Sequence, residues 1–186
     1  MRNTIFSTVL GAALAVGLAL STSVTPAAAK SAAEIETEVN DTLQHFYRKV
    51  PQGSELERRA AAVLVFPEII KAGIGVGGEY GEGALRVNGR TVDYYNSVSA
   101  SIGFQLGIQE RSVVIMFMTP EALNSFRRTA GWKVGVDGSV TLIAVGAGGA
   151  VDTNTVTQPV IGFILDQKGL MYNLTLEGSK ISRIER

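Results

Sequence analysis

Six glycines fall in the eleven residues from Gly73 to Gly83, within the stretch Lys71-Ala72-Gly73-Ile74-Gly75-Val76-Gly77-Gly78-Glu79-Tyr80-Gly81-Glu82-Gly83. Gly73, Gly75 and Gly78 satisfy a G-x-G-x-x-G spacing, which binds dinucleotides only when a strand precedes it and a helix opens directly after it. Here the would-be first turn holds Gly81 and Gly83, each costing about 1 kcal/mol relative to alanine in a helix. No Gly-Lys-Ser or Gly-Lys-Thr ends the run, so a phosphate-cradling P-loop is excluded. What remains is a β-strand with one bare face, where another backbone, a helix or a ligand can approach closely.

Helical spacing precedes this strand. Ser31-Ala32-Ala33-Glu34 is a capping box, and Ile35, Val39, Leu43 and Phe46 recur at the helical period, which predicts a helix over residues 32–49. Ser54-Glu55-Leu56-Glu57 is a second capping box, predicting a helix to about Leu64 that Pro67 terminates. The period then changes to two. Asn88-Gly89 and Asp137-Gly138 are both type I′ hairpin signals between apolar residues. From Ser97 to Gln109 the even positions are Val98, Ala100, Ile102, Phe104, Leu106 and Ile108 and the odd ones are Ser, Gly or Gln, which predicts a long strand with its apolar face buried.

Val113-Val114-Ile115-Met116-Phe117-Met118 is apolar at every position, as in a central strand covered on both sides, and the N-terminal helices are its expected cover. Thr119 as N-cap with Pro120 at the first helical position starts a short helix to about Arg128. Further strands are expected near 133–136, 139–147, 158–165, 169–176 and 180–185. The predicted class is α+β: a curved antiparallel sheet or partly closed barrel with two N-terminal helices and one short inserted helix.

Residues 1–29 read as a signal peptide, with Arg2 as the basic region, Val9–Leu20 as the apolar region and Ala27-Ala28-Ala29 as the cleavage site. The expected product is one domain, residues 30–186, exported and periplasmic or extracellular. The chain has no cysteine, hence no lipobox, and length enough to bury a core without disulfides. Its 17 basic and 17 acidic residues cancel, and loss of Arg2 with the leader leaves a formal charge of −1. Nucleic-acid binding needs a strongly basic surface, so that class is excluded.

Groups suited to catalysis are sparse. His45, the single histidine, lies among Leu43, Phe46 and Tyr47 on the first helix and reads as structural. No G-x-S-x-G elbow presents a serine, and Glu79 and Glu82 beside a turn read as solvated carboxylates. Asp152 and Asn154 lack the spacing of a calcium loop. No metal or cofactor is called for. Membrane-type features are better represented: Phe126-Arg127-Arg128 and Trp132-Lys133 place two aromatics and three cations together, as a membrane interface favours. Their structural alternative is Phe126 and Trp132 in the core, with Arg127 and Arg128 complementing a helix C-terminus. The His45-Phe46-Tyr47-Arg48-Lys49 end of the first helix is a second candidate, although Glu34, Glu36, Glu38 and Asp41 before it would repel an anionic surface.

The glycine run, with Val65-Phe66-Pro67, Ser99–Gln109, Phe117-Met118-Thr119, Gly131-Trp132 and Gly169-Leu170, resembles the SYLF domain family over about residues 34–185. That resemblance implies a non-enzymatic lipid-binding module, which in eukaryotic members attaches to phosphoinositide-bearing membranes and to actin. For an exported, bacterial-type member it implies peripheral binding to anionic phospholipid such as phosphatidylglycerol or cardiolipin. An envelope scaffold or protein-interaction role, parallel to the family's actin binding, is the alternative. Lys71 opens the family's Lys-Ala-Gly pattern, and bare backbone at Gly73, Gly75, Gly77 and Gly78 would admit an acyl chain or headgroup, or else let a helix lie flat. The lipid-contacting residues expected are therefore Lys71, Gly73, Gly75, Gly77, Gly78, Arg127, Arg128, Trp132 and Lys133.

Overall fold

The computed structural model describes residues 29–146, 157–168, 176 and 178–186, with backbone alone at 74–75 and 101–107. The leader, the Asp152 and Asn154 loop and the strand expected at 169–176 lie outside the described residues, apart from Ala29 and Leu176.

Helix α1 (Ala32–Lys49) begins at the predicted capping box, in which the Ser31 hydroxyl accepts from Glu34 N–H and the Glu34 carboxylate accepts from Ser31 N–H. Its buried stripe is Ile35, Val39, Leu43 and Phe46, as the period requires. Helix α2 (Gly53–Arg59) is shorter than expected, and its N-cap is Gln52, which makes no side-chain cap bond. The second capping box does not form; Glu57 instead accepts from the Tyr47 hydroxyl. Ala62–Phe66 are strand because both faces of that segment are needed for burial: Val63 and Val65 pack under α1, whereas Leu64 and Phe66 face the other core. Pro67 sits where the register jumps from Phe66 to Ile69, a place where a missing N–H breaks no ladder.

Two long strands follow, β1 (Ala62–Val87) and β2 (Arg90–Phe117), joined by Asn88 and Gly89 at φ of 51° and 73°, the left-handed pair a type I′ turn demands. Beyond them lie α3 (Pro120–Arg128), β3 (Trp132–Lys133), β4 (Thr141–Ala144), β5 (Val160–Lys168) and β6 (Lys180–Ile184). The described strands form one curled sheet in the order β3-β6-β2-β5-β4, with β1 on β2. Most pairs are antiparallel, but β4 and β5 run parallel. Asp137-Gly138 does not make the second hairpin: the Asp137 carboxylate accepts from Lys133 N–H at 2.7 Å, Gly135 takes φ of 85°, and residues 133–138 close into a tight loop.

β1 folds back on itself, and the glycines permit it. A side chain on Gly81 would lie 2.6 Å from the Glu68 carbonyl oxygen, one on Gly83 would strike the Val65 carbonyl, and one on Gly73 would strike the Gly77 backbone. The close neighbour of the bare face is therefore the strand's own earlier half. Inside the curl Leu64, Phe66, Leu85, Tyr95, Ile115 and Phe117 pack with Phe126 of α3. On the outside α1 covers Val65, Val114, Met116 and Phe163, so the apolar run at 113–117 is buried on both faces as predicted. Each such fully buried side chain contributes roughly 1.5–3 kcal/mol over its exposed state.

Candidate functional site

Beyond the two cores the β1–β2 ribbon bends at Gly73 and Gly77, giving an outgoing limb (residues 69–73 with 107–111) and a returning limb (77–81 with 97–101). The inner side of the curl on β2 is fixed by Tyr95 and Val113, both in the inner core. A period of two carries that side through Ser97, Gln109 and Arg111, all of them buried. The predicted alternation from Ser97 to Gln109 is therefore present but inverted: the polar positions face in, and the described apolar ones face out. Ile108 is 73% exposed and Val76 67%, with Ile70, Tyr80 and Val98 also exposed. Side chains of Ile102, Phe104 and Leu106 are outside the described set.

The inner side carries charge. Arg111 of the outgoing limb donates to Glu79 of the returning limb at 2.6 Å, and both side chains are almost wholly buried. On the outer face, next to Tyr80, Glu82 is buried as well and accepts from the Tyr80 hydroxyl and from Arg186. Glu79 and Glu82, expected as solvated carboxylates, are thus buried ion-pair partners, each with its own arginine. Burial, then the Glu82 carboxylate, pushes the Tyr80 hydroxyl above the usual tyrosine range, which keeps it a donor.

Directly opposed residues share a face of a sheet, and one such row reads Tyr80, Val98, Lys180, Lys133 across four strands. The apolar outer face of the returning limb therefore runs straight into two exposed lysines. The outgoing limb has the opposite border. Ile70 is paired with Glu110, and beside it Glu38, Asp41 and Glu68 line a hollow with Lys30, whose ammonium bridges Glu38 at 2.7 Å and Glu68 at 3.3 Å.

The expected contact residues are dispersed. Trp132 is 2% exposed, with its ring against Phe126 and Phe117, so it is a core residue and is not placed to anchor in a membrane. Arg127 is held at 3.2 Å by Asp93, which also binds Arg183 at 2.9 Å. Arg128 and Lys133 are exposed. Lys71 is buried on the inner side of the bend, and Gly73 and Gly77 are in contact with each other. Gly78 lies on the outer face, where an added side chain would meet the Ser99 carbonyl oxygen only at 4.0 Å. The surroundings of Gly75 are outside the described set. Lys180 was not anticipated, because nothing local in the sequence pairs it with Val98.

His45 contacts Asp166 through Nε2 at 2.9 Å, a latch between α1 and β5. Among the described residues no cluster of three or more His, Cys, Asp or Glu is arranged for a metal, and no helix is long and apolar enough to cross a membrane. No curated protein matches the chain. A family model described as Ysc84, Las17-binding protein actin regulator, matches residues 98–185, from Val98 on the outer face of the bend through β6. Over residues 98–185 the chain is thus similar to the Ysc84, or SYLF, family.

Proposed function

We propose that this protein is an exported, non-enzymatic lipid-binding protein that sits peripherally on anionic phospholipid surfaces through the outer face of the β1–β2 bend. The observation that carries this reading is the inverted ribbon, apolar outward and charged inward. A contiguous exposed apolar surface on a folded chain marks a site of contact. Its convex shape, doubled over at Gly73 and Gly77, suits entry into a fluid apolar phase. Removing the exposed parts of Val76, Val98, Ile70, Ile108 and Tyr80 from water, at about 25 cal/mol per Å2, gives a gross gain on the order of 10 kcal/mol, much of which the cost of association offsets, leaving reversible attachment. Lys133 and Lys180 add about 1 kcal/mol each near an anionic surface.

The test is flotation with vesicles of phosphatidylcholine alone or mixed with phosphatidylglycerol or cardiolipin. Binding should favour the anionic vesicles and weaken with salt, and Val76→Glu with Val98→Glu should reduce it at least tenfold. A folded double variant that floats like the parent would overturn the assignment of the bend. The family description names a protein partner and an actin regulator, and this supports a second reading as an interaction module. Under that reading vesicles would not be bound at all.

A further inference from the structure

We infer that the bend enters an anionic bilayer tilted, with its returning limb deep and its outgoing limb shallow. This rests on the lipid reading above and adds an orientation to it. The two limbs have similar apolar outer faces, Gly78, Tyr80, Val98 and Ala100 on one and Ile70, Ala72 and Ile108 on the other. Their borders differ in charge. Beyond Val98 stand Lys180 and Lys133, softened by Asp137 on the Lys133 backbone, while Arg186 is balanced by Glu82. Beyond Ile70 stand Glu38, Asp41, Glu68 and Glu110, against which, among the described residues, Lys30 and Lys168 are set.

An anionic surface attracts the first border and repels the second, over a range of about 8 Å at physiological salt. Rolling the bend toward Lys180 brings the cations among headgroup phosphates and lifts the carboxylates away. The hydrophobic gain is little changed by the roll, so the charge difference decides it.

The protein has no cysteine, so single labels can be placed at will. Val98→Cys and Ile70→Cys are each labelled with a polarity-sensitive fluorophore, and thermal melts confirm folding. Quenching is then read on phosphatidylglycerol-containing vesicles with lipids brominated at stepped acyl depths. The label at 98 should be quenched at least threefold more by mid-chain bromines than the label at 70. Glu110→Gln with Asp41→Asn should narrow that ratio, and Lys133→Glu with Lys180→Glu should abolish it and weaken binding more than tenfold. Equal quenching at both positions, with binding intact, would overturn the tilt and leave the lipid reading standing. No quenching at either position, with no flotation, would overturn both.

Discussion

Gly81→Ala is the sharpest test of the fold-back in β1. The new methyl carbon would sit 2.6 Å from the Glu68 carbonyl oxygen and 2.8 Å from Ile69 Cγ1, whereas ordinary contact begins at 3.4 Å. Something must therefore move by about 0.8 Å, and the nearer obstacle is backbone held in a paired strand. Overpacking of this kind costs about 1–3 kcal/mol, and a rigid obstacle places it at the upper end. Alanine also narrows the unfolded ensemble, which offsets about 0.4–1 kcal/mol. The net loss is about 2–2.5 kcal/mol, or roughly 4–10 °C in melting temperature at about 2–4 °C per kcal/mol for a chain of this size. Gly78→Ala is the matched control: its nearest neighbour is 4.0 Å away, so only the unfolded-state term applies and stability should rise by about 0.4–1 kcal/mol. Equilibrium urea denaturation of the three proteins reads both values. If the two variants shift stability in the same direction by similar amounts, the glycines are not there to admit the strand's own backbone.

Glu79→Gln should destabilise by about 3–5 kcal/mol, because it strips the carboxylate from a buried guanidinium, and Glu79→Gln combined with Arg111→Met should recover part of that loss in a denaturation cycle. Ser31→Ala, which removes one half of the capping box, should cost about 1 kcal/mol and lower helical circular dichroism at elevated temperature before the sheet melts. Burial tends to raise the Glu36 carboxyl, but hydrogen bonds from Arg86 and Tyr94 outweigh it and hold the group below the usual glutamate range. Its stabilising contribution is thus complete above the ordinary pKa near 4.5 and is lost as pH falls through the lower folded value, so Glu36→Gln should flatten the loss of melting temperature between pH 5 and 3. An unchanged slope would rule that carboxylate out as a source of acid sensitivity.

Features whose determinants are local were legible in the sequence. The α1 capping box and stripe, the Asn88-Gly89 turn and the Thr119-Pro120 start of α3 each depend on residues within one or two turns of chain. What failed depends on distant partners. Alternation from Ser97 to Gln109 says that the ribbon has two faces, but Tyr95 and Val113, with the elements packed on them, decide which one is inside. The second helix, expected to run to about Leu64 and to be stopped by Pro67, ends at Arg59 because two separate cores compete for opposite faces of Val63–Phe66. The Arg127 to Lys133 cluster was adjacent in sequence only. In a strand consecutive side chains point to opposite faces, so Trp132 enters the core as Lys133 leaves it. Lys180 became visible only once β6 was registered on β2.

The register of the β1–β2 ribbon also sets an order of assembly. Its pairs are nested around Asn88-Gly89, from Val87↔Arg90 outward to Ala62↔Phe117, so each pair closes only a slightly longer loop than the last, and the ribbon can zip from its turn. The other edge of β2 at Tyr94–Val98 cannot be satisfied so early, since its partner is β6 at the far end of the chain. On a ribosome the ribbon would therefore be complete while that edge still presents unpaired N–H and C=O groups beside an outward apolar face. Synthesis of β6 is the event that closes this hazard, and chains halted before Lys180 should be strong clients of holding chaperones.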